Sequence, residues 1–310
     1  MKPNFSTFIF LALFAGAVAD AKGQQIIGHT GPERGFGGRL SRPSQGQLKR
    51  IHEQAAKSLS LLSVEMPASQ THPGTASPSD LAFSWKKAKD VTPARDQKQC
   101  GSCYVFGTVA ALECNWAIHH SGALIDSSEQ HVLNCIFDGC DGGTIDEVAT
   151  FLVSKGTCDE SESHYIAVKQ PCDSVSIKYL ATARDYVDVN GGVPPIDQMK
   201  GAILTHGALA VFMYAGGFEN YYGTDEVIWS NTNAGPHIVL VTGWDDTKRY
   251  PGGKGAWEIK NSWGPDWGKD GFGYVAYNVR DIGDNATWIE TSRGAFAPTT
   301  IPEGRKALGQ

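Results

Sequence analysis

The sequence predicts an α+β protein of two lobes, and three observations carry that expectation. Residues 100–180 place apolar side chains at helical spacing, the stretch after Gly191-Gly192 breaks into short apolar runs, and the pattern changes only once. A chain of 310 residues can bury one large domain or two lobes. With 8 Trp, 10 Tyr, 13 Phe and 36 Gly, its composition is not that of a disordered segment. The net charge of −6 comes without a long basic run, which argues against nucleic acid or an anionic membrane as partner.

The N-terminus has Lys2, an apolar run from Phe8 to Phe14 and the small residues Ala17 and Ala19. This pattern reads as a secretory signal peptide over residues 1–19, cleaved after Ala19 or Ala21; the run is too short for a membrane anchor. The expected location is therefore the secretory pathway, with delivery outside the cell or to a lysosome- or vacuole-like compartment. Residues 20–79 are rich in Gly, Ser, Pro and Gln and show no strand pattern. One amphipathic helix fits there, with Leu48, Ile51, Ala55, Leu59 and Leu62 on one face and Ser44 as cap. The segment reads either as a linker or as a pro-segment that is later removed, with cleavage expected between about residues 68 and 81, among Pro67, Pro73 and Pro78.

Denser apolar patterning begins near Leu81. A helix is expected from Cys103 to His119, where His120-Ser121-Gly122 ends it. Ser127-Ser128-Glu129-Gln130 signals a short helix through Leu133, and a third is expected over residues 144–153, before Lys155-Gly156. A helix over 194–204 precedes strands at 209–213, 237–241, 256–260, 273–277 and around Trp288-Ile289. The Gly-rich stretch 245–255 reads as a lengthened hairpin, and residues 297–310 as a loose tail.

The chemistry centres on Cys103. A cysteine in the first turn of a helix faces unpaired N–H groups and the positive end of the helix dipole, a field that favours the nucleophilic thiolate. Seven cysteines in an exported chain leave at least one unpaired. His237 opens an apolar strand and is the candidate base; Asn261 follows the next strand and could orient an imidazole. Either alone would be ordinary, a packed histidine or a turn residue. Cys100-Gly101-Ser102-Cys103-Tyr104 fits a known nucleophile signature whose His and Asn lie about 130–150 residues downstream. Here they follow Cys103 by 134 and 158 positions, the excess falling in the 245–255 hairpin. The rival readings are a four-thiolate zinc site made by Cys100, Cys103, Cys135 and Cys140, or a Cys100/Cys103 redox dithiol.

At these residues the chain resembles the papain-like (C1) cysteine peptidases, from about Leu81 to Gly294. Val91-Thr92-Pro93, Gln97, Ser128-Glu129-Gln130, Asn134-Cys135, Gly139-Cys140-Asp141-Gly142-Gly143, Asn261-Ser262-Trp263-Gly264, Trp267-Gly268 and Gly271-Phe272-Gly273-Tyr274 all occur in the family's order. The resemblance implies a cleft between a helical lobe (about 95–190) and an antiparallel, β-barrel-like lobe (about 191–296), within a peptidase domain of residues 80–296. It implies Cys103 as nucleophile, His237 as its imidazolium partner and then the acid to the leaving amine, Asn261 as orienting residue and Gln97 as oxyanion donor. By the same resemblance, Trp263 shields the His–Asn bond and Gly142-Gly143 pairs with an extended substrate. Ile238, Phe212 and Thr144 are expected to line the main pocket and favour an apolar residue. Cys100 is implied to pair with Cys140 and Cys135 with Cys172, and parity suggests a third bridge, Cys114 to Cys158.

The chain departs from the family at Tyr104, where Trp is usual, and in its short pro-segment. The expected activity is that of a monomeric endopeptidase needing neither cofactor nor metal. Its partners would be polypeptide substrates, its own pro-segment as inhibitor, and protein inhibitors of cysteine peptidases. An exopeptidase and a catalytically silent binding protein are the alternatives.

Overall fold

The computed structural model describes residues 35–64 and 76–291. The expected signal peptide, most of the expected cleavage region, the tail and the Leu62 side chain lie outside the described residues. Among those described, no helix is long and apolar enough to cross a membrane.

The N-terminal segment contains a two-residue strand, β1 (Gly38–Arg39), and a twenty-residue helix, α1 (Gln45–Val64). Ser44 and Gln47 start α1 with a reciprocal cap. The Ser44 hydroxyl accepts the Gln47 N–H at 3.3 Å, and the Gln47 side-chain oxygen accepts the Ser44 N–H at 2.8 Å. The apolar stripe of α1 faces the rest of the molecule: Leu48 and Ala55 are buried, and Leu59 packs against the main core.

Next come β2 (Ala82–Ser84) and the one-turn α2 (Trp85–Ala88), whose Trp85 indole N–H donates to the Ile203 carbonyl at 2.9 Å. The central helix is α3 (Cys103–His119). Its residues 103–117 are all buried, the mark of a helix enclosed on every side. It stops where Ser121 and Gly122 take positive φ. Ser128 caps α4 (Glu129–Cys135), and after β3 (Gly143–Thr144) the Thr144 hydroxyl caps α5 (Ile145–Ser154).

The second half opens with a strand absent from the sequence reading, β4 (Ala181–Tyr186), and then α6 (Ile196–His206). The strands β5 (Leu209–Tyr214), β6 (Val227–Ile228), β7 (Pro236–Tyr250), β8 (Gly253–Lys260), β9 (Phe272–Ala276) and β10 (Asp284–Thr291) follow. They form one sheet in the order β4-β10-β5-β7-β8-β9-β6, with β2 also on β7. The expected barrel-like lobe is thus an open sheet, since β4 and β6 stand at opposite ends of the strand order. The expected hairpin is regular, with Arg249 opposite Lys254 and Tyr250 opposite Gly253. α3 packs against β7, β5 and β10 on one side and against α4 and α5 on the other, so its N-terminus opens between helices and sheet.

Two disulfides tie the helical part together, Cys100–Cys140 and Cys135–Cys172. The expected Cys114–Cys158 bridge is absent, and both residues are free, buried thiols. Cys114 sulfur accepts the Ala208 N–H at 3.4 Å, on the sheet side of α3. Cys158 lies instead at the start of α4, where its carbonyl accepts the Ser128 N–H. Burial pushes the two thiols up to about 12 and about 11, so parity imposed no pairing on them.

Candidate active site

Cys103 is the first residue of α3 and fully buried. Burial pushes its thiol up to about 12, against backbone hydrogen bonds from Ile238, Gly37, Tyr104 and Cys103 itself, which favour the thiolate. The sulfur therefore lies against the residue that follows His237. His237, near the start of β7, donates from Nε2 to the Asn261 side-chain oxygen at 2.8 Å, while its Nδ1 is buried and makes no hydrogen bond. Burial holds this imidazole down to about 4, partly offset by the Asn261 bond. Asn261 immediately follows β8, two strands along from β5 across β7, so the sheet sets the spacing of the pair. Trp263 is fully buried with its ring centroid 5.1 Å from that of His237, which keeps water from the His–Asn bond.

Gln97 is buried, and its amide is fixed at both ends. The Ser262 hydroxyl donates to its oxygen at 2.6 Å, so the nitrogen points the other way, to the carbonyls of Cys100 and Gly35, both at 2.9 Å. Tyr165 braces the same loop, its hydroxyl bonding Ser102 Oγ at 2.7 Å and the Gln97 carbonyl at 2.9 Å. Sequence reasoning passed over Tyr165, which stands in no motif. Ser262 was inside a quoted motif, and only the fold reveals its partner.

Gly143 shows why the helix needs an aromatic residue after the cysteine. A Cβ built on Gly143 would lie 2.5 Å from the Tyr104 ring, and the Tyr104 hydroxyl donates to the Gly139 carbonyl at 3.0 Å. Tyr104 thus backs the edge strand that carries Gly142 and Gly143. Thr144 caps α5, and Phe212 and Ile238 are opposed on β5 and β7 with 2% and 1% exposure, an apolar floor beside His237.

The N-terminal segment lies across this site, which the sequence did not indicate. β1 pairs with β3 in parallel, Gly38 opposite Gly143, and the Gly143 N–H donates to the Gly37 carbonyl at 2.9 Å. The Phe36 ring packs edge-on against His237 at 6.0 Å and Trp263 at 5.4 Å. A Cβ on Gly37 would sit 1.7 Å from the Gly101 carbonyl oxygen, and one on Gly38 2.6 Å from the His237 backbone. Only a chain without side chains passes there.

The bridges remove the rival readings. Cys100 is joined to Cys140 rather than Cys103, and Cys100, Cys135 and Cys140 have no thiolate to give a zinc ion. His131, Cys135 and Asp173 form the one cluster of metal-ligand type among the described residues, and its cysteine is in a disulfide.

This cysteine, histidine and asparagine on facing helix and sheet define a papain-type site, and the chain belongs to the papain family of cysteine proteases, whose family model matches residues 79–293. It is 31% identical over 226 residues to a viral cathepsin of Spodoptera exigua nuclear polyhedrosis virus, covering 71% of this chain and 62% of that protein. It is 32% identical over 223 residues to human cathepsin O, covering 67% of this chain and 65% of that protein. The chain thus spans under two thirds of the length of these relatives. Among solved structures it resembles the bromelain protease of Ananas comosus in complex with the E64 inhibitor, with a TM-score of 0.60 and 25% identity over 68% of this chain and 99% of that one. It shares its fold with the ragweed pollen cysteine protease Amb a 11 in its proform, at TM-score 0.62 and 20% identity over 84% and 83%.

Proposed function

We propose that this chain is the latent precursor of a cysteine endopeptidase. The observation that carries the proposal is the convergence of Cys103, His237, Asn261 and Gln97 under a strand of the chain itself. Cys103 thiolate attacks the scissile carbonyl and forms a tetrahedral oxyanion, which the Gln97 amide and the Cys103 N–H stabilise. Gln97 already holds a peptide carbonyl, that of Gly35. Protonated His237 gives its proton to the leaving amine as the C–N bond breaks, leaving a thioester on Cys103. His237 then takes a proton from water, which attacks the thioester and frees the acid and the thiol.

The segment around residues 35–64 is the pro-segment, outside the family match that begins at residue 79. It blocks the cleft by occupancy and by desolvation. Under it the thiol is pushed up and the imidazole down, so thiol and imidazole are both neutral at pH 7. Removing the segment admits water and restores the ion pair, helped by the N-terminus of α3. An extended strand enters the cleft beside Gln97 and leaves it past β3, which favours cutting within chains. Export, the monomeric state and delivery to a lysosome-like compartment complete the reading.

The test is labelling with an epoxysuccinyl cysteine-peptidase probe before and after cutting in the 65–80 region. Cut protein should be labelled at Cys103 and uncut protein far more slowly. Cys103→Ala should abolish both labelling and cleavage of doubly blocked quenched peptides, with His237→Ala nearly as severe and Asn261→Ala milder. Release of only terminal residues or dipeptides would overturn the endopeptidase assignment, and full activity in Cys103→Ala would overturn the mechanism.

A further inference from the structure

The pro-segment carries two arginines past the cleft, and both end on carboxylates. Arg42 forks onto Asp284, with N–O distances of 3.0 and 3.4 Å. The Asp284 side chain is only 9% exposed, whereas Arg42 is 60% exposed. Arg39 reaches Asp138 at 3.2 Å and the Asp141 carbonyl at 2.9 Å. Between them Leu40 packs on the core, and the Ser41 N–H donates to the Asn285 side chain at 2.7 Å.

These carboxylates lie on opposite walls of the cleft. Asp284 is opposite Phe212 on β10 and β5, and Phe212 is opposite Ile238 on β7. At a strand spacing of about 4.8 Å, Asp284 therefore sits about 10 Å across the sheet from the residue after His237. Asp138 belongs to the helical wall, in the loop that leads to Gly142 and Gly143. There the Asp138 N–H donates to Glu147, whose carboxyl burial pushes up, with Asp138 adding to the rise.

We propose that the uncovered cleft selects extended peptides bearing arginine, with Asp284 as the main specificity residue and Asp138 as the second. The physical reason is what activation leaves behind. Asp284 is a recessed carboxylate whose side-chain hydrogen bonds among the described residues are those to Arg42. Departure of the segment strips that partner, and a substrate guanidinium restores both bonds in the same fork geometry. Asp138 is more open, so its share is smaller. The apolar floor of Phe212 and Ile238, expected from the sequence to set the preference, then supplies depth between two acidic walls.

This deepens the peptidase reading and rests on it. The experiment scans a single Arg, against Gln, through the positions N-terminal to the cut in a quenched peptide, using cut protein and its Asp284→Asn and Asp138→Asn forms. The wild type should favour Arg about tenfold at one position and about threefold at another. Asp284→Asn should bring the larger ratio to about one and Asp138→Asn the smaller, whatever the variants' absolute rates. Asp284→Lys should invert the ratio in favour of Glu. Equal rates for Arg and Gln at every position would overturn the proposal while leaving the peptidase standing. Should no peptide be cut, the peptidase reading fails, and calorimetric binding of the same peptides decides this one: equal affinity for Arg and Gln forms overturns it.

Discussion

The two parts of the N-terminal segment hold on by different physics. The cleft-crossing strand, residues 35–42, fits without room to spare: its glycines abut the backbone of Gly101 and His237, and each of its arginines meets an acid. Helix α1 sits more loosely. A groove of about 500 Å³ separates it from α5, lined by Gln47, Arg50 and Gln54 on one side and Thr150, Ser154 and Arg184 on the other. Its one short polar anchor to the sheet is His52, whose Nδ1 lies 2.6–2.7 Å from the Asp185 carboxylate and Nε2 3.2 Å from the Val189 carbonyl. The strand acts as a plug and the helix as its handle. Inhibition by a steric plug is insensitive to conditions, whereas a handle held by an ionisable group can be tuned.

The comparison breaks most sharply at Gly37. Gly37→Val forces a side chain into the Gly101 carbonyl and should expel the plug. At an overpacking cost of about 1–3 kcal/mol, Cys103 labelling in uncut protein should speed up about 10- to 100-fold. An unchanged rate would mean the segment does not govern access.

Phe36→Ala should act in the same direction and less. It removes an edge-on ring from His237 and Trp263, contacts worth about 0.5–1.5 kcal/mol each beyond their buried area. About a tenfold faster labelling is expected in the same assay.

His52 sharpens the contrast through pH. Both its ring nitrogens face acceptors, which only the protonated ring satisfies fully. Desolvation opposes the charge, but the Asp185 and Val189 bonds prevail and its pKa is raised. Arg184, the nearby cation on β4, opposes the charge too and is itself engaged by Asp146 of α5. On its own helix, Lys49 and Glu53 pair with each other. A raised folded pKa means that the stabilisation is full below the free-histidine value of about 6.5 and disappears as pH rises through the folded value. Protease cleavage within α1 should therefore be slow at pH 5–6 and faster toward pH 8. His52→Gln should flatten this step, while Cys103 access at fixed pH changes less than in Gly37→Val. Faster cleavage of α1 at pH 5 than at pH 8 would reverse the assigned sign.

The smallest effect is expected from Glu53→Ala. It breaks an exposed pair to Lys49 at 3.8 Å, and neither α1 cleavage nor Cys103 labelling should change measurably.

What could be read from the sequence was whatever is written in near neighbours. Ser44 with Gln47, Ser128 and Thr144 mark helix starts because a cap bonds an N–H two or three residues on. The nucleophile's helix, the His237 strand and the Asn261 turn were legible for the same reason, each being a local pattern at a recognisable spacing. Tertiary packing decided the rest. β4 escaped because its Arg184 and Asp185 are buried polar residues that break an alternating pattern, and their partners, Asp146 and His52, lie far away in sequence. The pairing of β1 with β3 joins residues about a hundred positions apart through two glycines. A glycine in a sequence advertises freedom of the backbone; only the folded cleft specifies what it must fit against. Cysteine parity likewise counted thiols without knowing that Cys114 and Cys158 are enclosed by different neighbours. Local signals set which elements form, because they depend on the next turn of chain. Contacts that cover, wire and select at the site depend on surfaces that exist only once those elements have packed.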